Sequence, residues 1–189
     1  MDKTTVAAKK LYTLAEFERI AALPENEDRL LELIHREIVE KVPTPSHSVL
    51  AAWIAAFLNI YVIEHDDQGL VSVEGRHRAG DDSSLLPDAS YFRDRDVAPT
   101  ESSFDTVPDL AIEVKSPRDS YKAMRAKAAL YLERGTQIVW LVYPEKLKIE
   151  VHRQGVEAQT LGIEDTLDGG DLLPGFTLPV HRVFRKIAH

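Results

Sequence analysis

The sequence predicts an α/β fold in which helices pack against a β-sheet. The first observation is the order strand, helix, strand across residues 109–142, which makes the two strands parallel neighbours. The second is the strand at 137–142, which has no polar face and is expected to be covered on both sides. The third is the length of 189 residues, which fits one domain. The predicted architecture is therefore one α/β domain over residues 1–189, with a loose N-terminus at 1–10 and a short basic tail at 180–189.

Composition excludes several classes of protein. The chain has no cysteine, which excludes disulfides, thiolate metal centres and cysteine nucleophiles. Hydrophobic residues at 44% and charged residues at 29% are typical of a globular protein rather than a disordered one. A net charge of −8 argues against a protein that coats nucleic acid by charge alone, although a local patch could still contact it. The N-terminus lacks the apolar segment of a secretory signal, and we expect a cytoplasmic protein.

The predicted elements follow one another with short connections. In the first half, strands joined by a tight turn at His35-Arg36 follow a first helix, and Ser46 is the expected N-cap of a second helix. In the second half, Gly135 ends a helix. Predicted helices cover 14–22, 47–64 and 119–134, and predicted strands lie within 29–42, 70–78, 85–92, 109–115, 137–142, 146–151 and 156–161. A turn-rich stretch follows.

The second helix contains an apolar run that begins at Val49 and ends at Ile63. At fifteen residues this run is shorter than the ~20 residues that span a bilayer, so we expect no membrane segment. It is apolar on nearly every face, which is typical of a helix buried in the core. The alternative is that one side meets a second copy of the chain, as in a homodimer.

Charged residues interrupt the strand at 109–115. Leu110, Ile112 and Val114 face one side, whereas Glu113 and Lys115 share the other side, ~7 Å apart. On a solvated sheet this would be an ordinary ion pair. A central strand would bury both charges, which costs several kcal/mol per ion unless they are paired or bind something charged. The pattern therefore favours a functional pair.

Asp88 follows Pro87, precedes the apolar end of a predicted strand and supplies a second carboxylate. Two carboxylates at neighbouring strand ends can hold a divalent cation, and magnesium is suited because it takes one or two carboxylates and keeps several waters. Manganese is a substitute. A lysine beside the ion can orient water or stabilise developing negative charge. These parts suffice for phosphodiester hydrolysis.

The order Pro87-Asp88 followed by Glu113-Val114-Lys115 resembles the active-site signature of the PD-(D/E)XK nuclease superfamily. The phrases PDLAIEVKSPRDS and KAALYLERGTQIVWLVYP resemble its Uma-two branch of bacterial proteins, and the likeness extends over residues 11–184. This resemblance implies a restriction-endonuclease-like fold, with a central mixed β-sheet flanked by helices. It also implies a magnesium-dependent endonuclease that acts on DNA.

The resemblance also implies roles for individual residues. Asp88 and Glu113 would ligate the metal, Lys115 would be the catalytic lysine, and Glu32 would complete the acidic site. Many members of this branch have an apolar residue where Lys115 stands, so Lys127 on the following helix could take its role. Glu32 could instead be an edge-strand carboxylate facing water, and Lys127 a solvated lysine on the flank of its helix.

Two alternatives to a DNA endonuclease remain. The fold could serve as a non-catalytic interaction or regulatory module, which the net acidity and the lack of a DNA-reading motif favour. The site could also hydrolyse a smaller phosphate ester. His47 and His77 could approach the site, but surface or capping roles are the expectation for both.

Overall fold

The computed structural model describes residues 10–93 and 96–185. Its helices are α1 (Leu14–Ala21), α2 (Pro45–Glu64), α3 (Tyr121–Glu133) and α4 (Val180–Phe184). Its first strands are β1 (Leu30–Ile34), β2 (Glu37–Lys41), β3 (Leu70–Val73), β4 (His77–Arg78), β5 (Ser84–Leu85) and β6 (Ala89–Phe92). The remaining strands are β7 (Leu110–Val114), β8 (Ile138–Tyr143), β9 (Lys148–Arg153), β10 (Val156–Leu161), β11 (Thr166–Gly169) and β12 (Leu173–Pro179).

A six-stranded mixed sheet forms the centre of the molecule, with the strand order β10-β9-β8-β7-β6-β3. β7 and β8 pair in parallel with Leu110 opposite Ile138, as the strand–helix–strand pattern predicted. The other pairings in this sheet are antiparallel. All six residues of β8 are buried. The predicted α/β fold with a mixed central sheet flanked by helices is therefore confirmed.

The two faces of the central sheet bury different side chains. Leu110, Ile112 and Val114 lie in the larger core cluster together with α2. Ala111 lies in a second cluster on the opposite face, packed against α3. The alternation predicted for β7 is therefore confirmed, and it directs Glu113 towards α3.

A smaller antiparallel sheet, in the order β2-β1-β5-β4, lies beside the central one. β1 and β2 form a hairpin in which Glu32 is opposite Val39 and Leu30 is opposite Lys41. His35 and Arg36 both have positive φ, at 47° and 68°, as a two-residue hairpin turn requires. Residues 30, 32, 39 and 41 consequently share one face of the hairpin.

Helix α2 differs from the prediction in its start and its burial. The N-cap is Thr44 rather than Ser46, because the Thr44 side chain accepts a hydrogen bond from the His47 amide. The helix has 20 residues and a mean hydropathy of 1.6, which is long and apolar enough to cross a membrane by length and composition. Six of its residues are buried in the core and His47 is buried outside it, whereas Val49, Ile60 and Ile63 on the other side are exposed. Core burial thus holds for one face, and the homodimer through this helix stays a prediction.

The C-terminal part is more regular than the sequence predicted. The turn-rich stretch belongs to a two-stranded sheet of β11 and β12. Residues 180–184, expected to begin a basic tail, form α4 instead, because Val180, Val183 and Phe184 are buried in the core. Residues 186–189 of that predicted tail lie outside the described residues, as do residues 1–9 of the predicted loose N-terminus.

Candidate active site

The Asp88 carboxylate is fixed at the edge of the central sheet, directly before β6. Its backbone amide donates to the Ile112 carbonyl at 3.0 Å, and its Oδ2 accepts a hydrogen bond from the Val114 amide at 2.6 Å. The predicted strand at 85–92 is accordingly split into β5 and β6, with Asp88 between them. Asp88 is only 1% exposed. The carboxylate is therefore held against β7, the strand that carries Glu113.

The Glu113 carboxylate lies beneath α3. Its Oε1 accepts a hydrogen bond from the Tyr131 hydroxyl at 2.8 Å and lies 2.7 Å from Lys127 Nζ. Burial raises the pKa of Glu113, and the ammonium groups of Lys127 and Lys41 offset this only in part. Burial, together with the Glu113 charge, also raises the pKa of Tyr131 well above its usual value.

Glu32 and Lys127 are also buried, so neither is the solvated side chain of the alternative interpretations. Lys127 Nζ lies 2.7 Å from Glu32 Oε1 and 2.9 Å from Glu32 Oε2. Glu32 Oε1 accepts a further hydrogen bond from the Leu86 amide at 2.6 Å. Lys127 therefore bridges Glu32 and Glu113, which come from the two different sheets.

Lys41 is a site residue that the sequence interpretation missed. Its Nζ lies 2.5 Å from Asp88 Oδ1 and 3.3 Å from Glu113 Oε2, and it donates to the Leu86 carbonyl at 2.7 Å. Burial alone would lower the pKa of Lys41, but the Glu113 and Asp88 carboxylates raise it above its ordinary value. A signal for Lys41 was present, because a two-residue turn at 35–36 places it on the hairpin face of Glu32.

His47 also lies at the site, which the sequence offered only as the less favoured of two possibilities. Its Nε2 lies 3.0 Å from Asp88 Oδ2, and the residue is only 3% exposed, so the expected surface or capping role is wrong. Although burial raises the pKa of Asp88, Lys41 and the hydrogen bond from His47 outweigh this effect and hold it below its usual range. Helix α2 thus delivers a side chain from its first turn to the same carboxylate that Lys41 contacts.

Lys115 does not join this group. Its Nζ donates to the Ser116 carbonyl at 3.1 Å, lies 3.4 Å from Glu145 Oε1 and sits over the Tyr121 ring. The expected pairing of Lys115 with Glu113 is not found among the ion pairs of the described residues. β7 ends at Val114, and the acidic side chain of Glu145, in the turn after β8, attracts the ammonium.

A cavity of about 110 Å³ lies next to the cluster. Its wall includes all the charged cluster residues except Asp88, and it also includes residues of the loop before α3. The lining residues that matter here are Glu32, Lys41, His47, Glu113, Ser116, Asp119 and Lys127. The volume is enough for a few water molecules, so the buried charges border a space that a small polar group can enter.

The donor chemistry of the cluster fits a hard divalent cation. Asp88 Oδ1 and Glu113 Oε2 converge on one ammonium group, and oxygen ligands of this kind are those that magnesium takes. Within residues 10–93 and 96–185, no group of three or more histidine, aspartate or glutamate side chains is placed to hold a metal ion. Two carboxylates can suffice, because magnesium usually binds through one or two carboxylates and keeps several of its waters.

A central mixed sheet with buried acids and a lysine at one edge defines the class of restriction-endonuclease-like proteins. Comparison with known families identifies the family within this class. Residues 14–181 match the Uma2 family, which is described as "Putative restriction endonuclease". The chain belongs to this family, and the resemblance drawn from its motifs is confirmed.

A solved structure supports the same assignment. The chain is similar to "a putative nuclease belonging to DUF820" from Anabaena variabilis ATCC 29413, with 26% sequence identity and a TM-score of 0.79. The match covers 92% of this chain and 97% of the other. A search of curated proteins returned no match.

Proposed function

We propose that the protein is a magnesium-dependent endonuclease that hydrolyses phosphodiester bonds in DNA. The observation that carries the proposal is the cluster of Asp88, Glu113, Glu32 and Lys127 beside the cavity, drawn from distant parts of the chain. Burying several ions costs several kcal/mol each unless good geometry compensates, and such clusters occur at functional sites. Membership of a family described as "Putative restriction endonuclease" supports the same conclusion.

In this proposal Asp88 and Glu113 hold the metal ion. When bound, magnesium lowers the pKa of a coordinated water and offsets negative charge on the phosphate; manganese would substitute for it. The Val114 amide fixes the orientation of Asp88, and Tyr131 fixes that of Glu113.

Lys127, rather than Lys115, is the lysine placed to act on the substrate. Its ammonium lines the cavity beside Glu113, where it can orient the attacking water and stabilise the charge that develops on the phosphate. Glu32 keeps Lys127 in place through both of its carboxylate oxygens. Glu32 is thus a positioning residue in this proposal.

Exposed basic residues close in sequence to the cavity lining support a polyanionic substrate. Ser116 and Asp119 line the cavity, and the basic residues Arg118 and Lys122 close to them in sequence are exposed. Exposed cations beside a buried acidic site suit the approach of a phosphate backbone, even though the whole chain is acidic.

A non-catalytic module that keeps the nuclease fold is the second candidate. The observation that favours it is Lys41, whose ammonium already lies between Asp88 and Glu113. A permanent internal counter-ion there would leave no place for the metal.

Cleavage of supercoiled plasmid tests the proposal, because a closed circle has no ends and is opened only by endonucleolytic cleavage. We expect nicking in magnesium or manganese, none in excess chelator, and none by Asp88→Asn. The matched control is Asp105→Asn, which makes the same change on an exposed aspartate paired with Arg78. Nicking that survives in Asp88→Asn contradicts the proposal, and an intact plasmid with wild-type protein favours the non-catalytic module.

A further inference from the structure

We propose that the divalent cation enters this site by exchange with the Lys41 ammonium, which acts as a built-in competitor for the metal position. This inference rests on the proposed function, since it concerns the metal that the function requires. It assigns to Lys41 the control of metal affinity, rather than a permanent structural role.

Oxygen atoms coordinate Lys41 Nζ as they would coordinate a metal ion. Three oxygens surround it: Asp88 Oδ1 at 2.5 Å, the Leu86 carbonyl at 2.7 Å and Glu113 Oε2 at 3.3 Å. An ammonium group has three donors, so this pocket satisfies it completely. Carboxylate and carbonyl oxygens are also the ligands of hard divalent cations. The same oxygens therefore cannot serve Lys41 and a metal ion at once.

The net charge of the cluster favours exchange of Lys41 for the metal ion. Three carboxylates, Asp88, Glu113 and Glu32, share two ammonium groups, Lys41 and Lys127, which leaves one negative charge when His47 is neutral. Withdrawal of Lys41 leaves two negative charges, which one divalent cation neutralises. Addition of the ion without withdrawal would leave a positive charge in a buried place, which is costly. Exchange is therefore favoured over addition.

The Lys41 ammonium has an alternative position in the neighbouring cavity. Lys41 is the last residue of β2, and its side chain lines the same cavity as Asp119. A lysine side chain has a flexible four-carbon stem with a compact charge at its end. The ammonium can therefore leave the carboxylates for the cavity, where it faces another acidic side chain and any phosphate that enters.

Calorimetric titration with Mn²⁺ tests the exchange without using activity. We expect Lys41→Met to bind Mn²⁺ at least tenfold more tightly than wild type, because methionine fills similar space without a competing charge. The matched control is Lys115→Met, since Lys115 is about as buried and is paired with a carboxylate outside the cluster. The control is expected to bind Mn²⁺ as wild type does. Equal or weaker affinity in Lys41→Met overturns the exchange.

A second measurement uses wild-type protein and does not depend on the folding of a variant. Lysine acylation, read by mass spectrometry with and without Mn²⁺, is expected to increase several-fold at Lys41 and to stay constant at Lys115. Unchanged labelling of Lys41 with Mn²⁺ bound overturns the exchange alone. If neither wild type nor Lys41→Met binds Mn²⁺, the metal-dependent function fails together with it.

Discussion

Two buried glutamates lie on the same face of the central sheet, with one strand between them. Glu113 on β7 is opposite Leu141, and Leu141 is opposite Glu150 on β9, so the two carboxylates belong to one row across the sheet. They are 2% and 6% exposed. Their exposed fractions are therefore similar, and the two glutamates differ in the side chains that surround them.

Glu150 has donors on every side. Arg125 binds it through Nε at 3.0 Å and Nη2 at 2.5 Å, and Tyr143 and His152 add contacts at 3.0 and 3.1 Å. The hydrogen bonds from Arg125 are the main cause that lowers the pKa of Glu150 to about 2.

Burial is the main cause that raises the pKa of Glu113, and the neighbouring Asp88 and Glu32 carboxylates add to it, although Lys127 and Lys41 oppose it. A surplus of buried like charge, rather than a buried charge as such, therefore marks the candidate site. Glu150 forms a structural ion pair with Arg125, and its hydrogen-bonding capacity is satisfied.

The largest expected contrast is in catalysis. We expect Glu113→Gln to reduce the rate of plasmid nicking about 1000-fold, since it removes a charge that holds the metal. Glu150→Gln, which makes the same chemical change in the same row, is expected to stay within about threefold of wild type. A comparable loss in both variants, with circular dichroism showing both folded, would remove the distinction between the two clusters.

A third buried group isolates the effect of burial without a counter-charge. His77 has no exposed surface, and burial lowers its pKa to about 4, against 6.5 in an unfolded chain, although the Thr106 carbonyl opposes this. As the pH falls, the unfolded state therefore binds the proton before the folded state does. The contribution of His77 to the free energy of unfolding is fully present above pH 6.5 and is lost as the pH decreases towards 4. The loss between pH 7 and pH 4.5 is about 2 kcal/mol.

Urea unfolding at these two pH values checks this prediction in wild type and in His77→Gln. The difference between the two proteins removes the contributions of the other titrating groups. Wild type is expected to lose about 2 kcal/mol more than the variant between pH 7 and pH 4.5. Equal losses would show that His77 does not stay neutral in the folded protein.

The smallest expected effect is in stability at neutral pH. Glu113→Gln changes the net charge of the cluster from minus one to zero. The amide oxygen of the new glutamine can still accept the hydrogen bond from Tyr131. The free energy of unfolding should therefore stay constant or rise by about 1 kcal/mol. Glu150→Gln weakens charge-assisted bonds and should lower it by about 1 kcal/mol, because Arg125 is 57% exposed and can turn to water. Denaturant unfolding at pH 7 measures both. The reverse order would mean that Glu113 serves mainly the fold.

Much of the fold could be predicted from local patterns. The β7-α3-β8 unit and the hairpin turn at His35-Arg36 are governed by side-chain period and turn chemistry, which are local. The C-terminal hairpin and α4 were missed because Gly and Pro in this stretch resemble loop signals, whereas long-range packing of Val183 and Phe184 against the core makes the segment regular.

The site could be predicted only where a strand pattern or a motif pointed to it. Asp88 and Glu113 belong to a known motif, and a carboxylate inside an apolar strand drew attention to Glu32. The hairpin turn places Lys41 on the same face as Glu32, which the local pattern does indicate. Its contact with Asp88, like that of His47, depends on how the small sheet and α2 pack against the central sheet, which no local pattern encodes. The alternation of β7 predicts Lys115 on the face of Glu113, but its ammonium pairs with Glu145 instead. The direction of a long lysine side chain depends on which carboxylate lies nearest to its ammonium group.

The initial rate of magnesium-dependent plasmid nicking in Lys127→Met and Lys115→Met tests the central claim most directly. The two variants remove the same charge, one from a lysine within α3 and the other from a lysine directly after β7. The account predicts about a 100-fold loss for Lys127→Met, which removes the ammonium that contacts Glu32 and Glu113, and a rate near wild type for Lys115→Met. A rate that falls only in Lys115→Met, or a wild-type protein that leaves the plasmid closed, would contradict it.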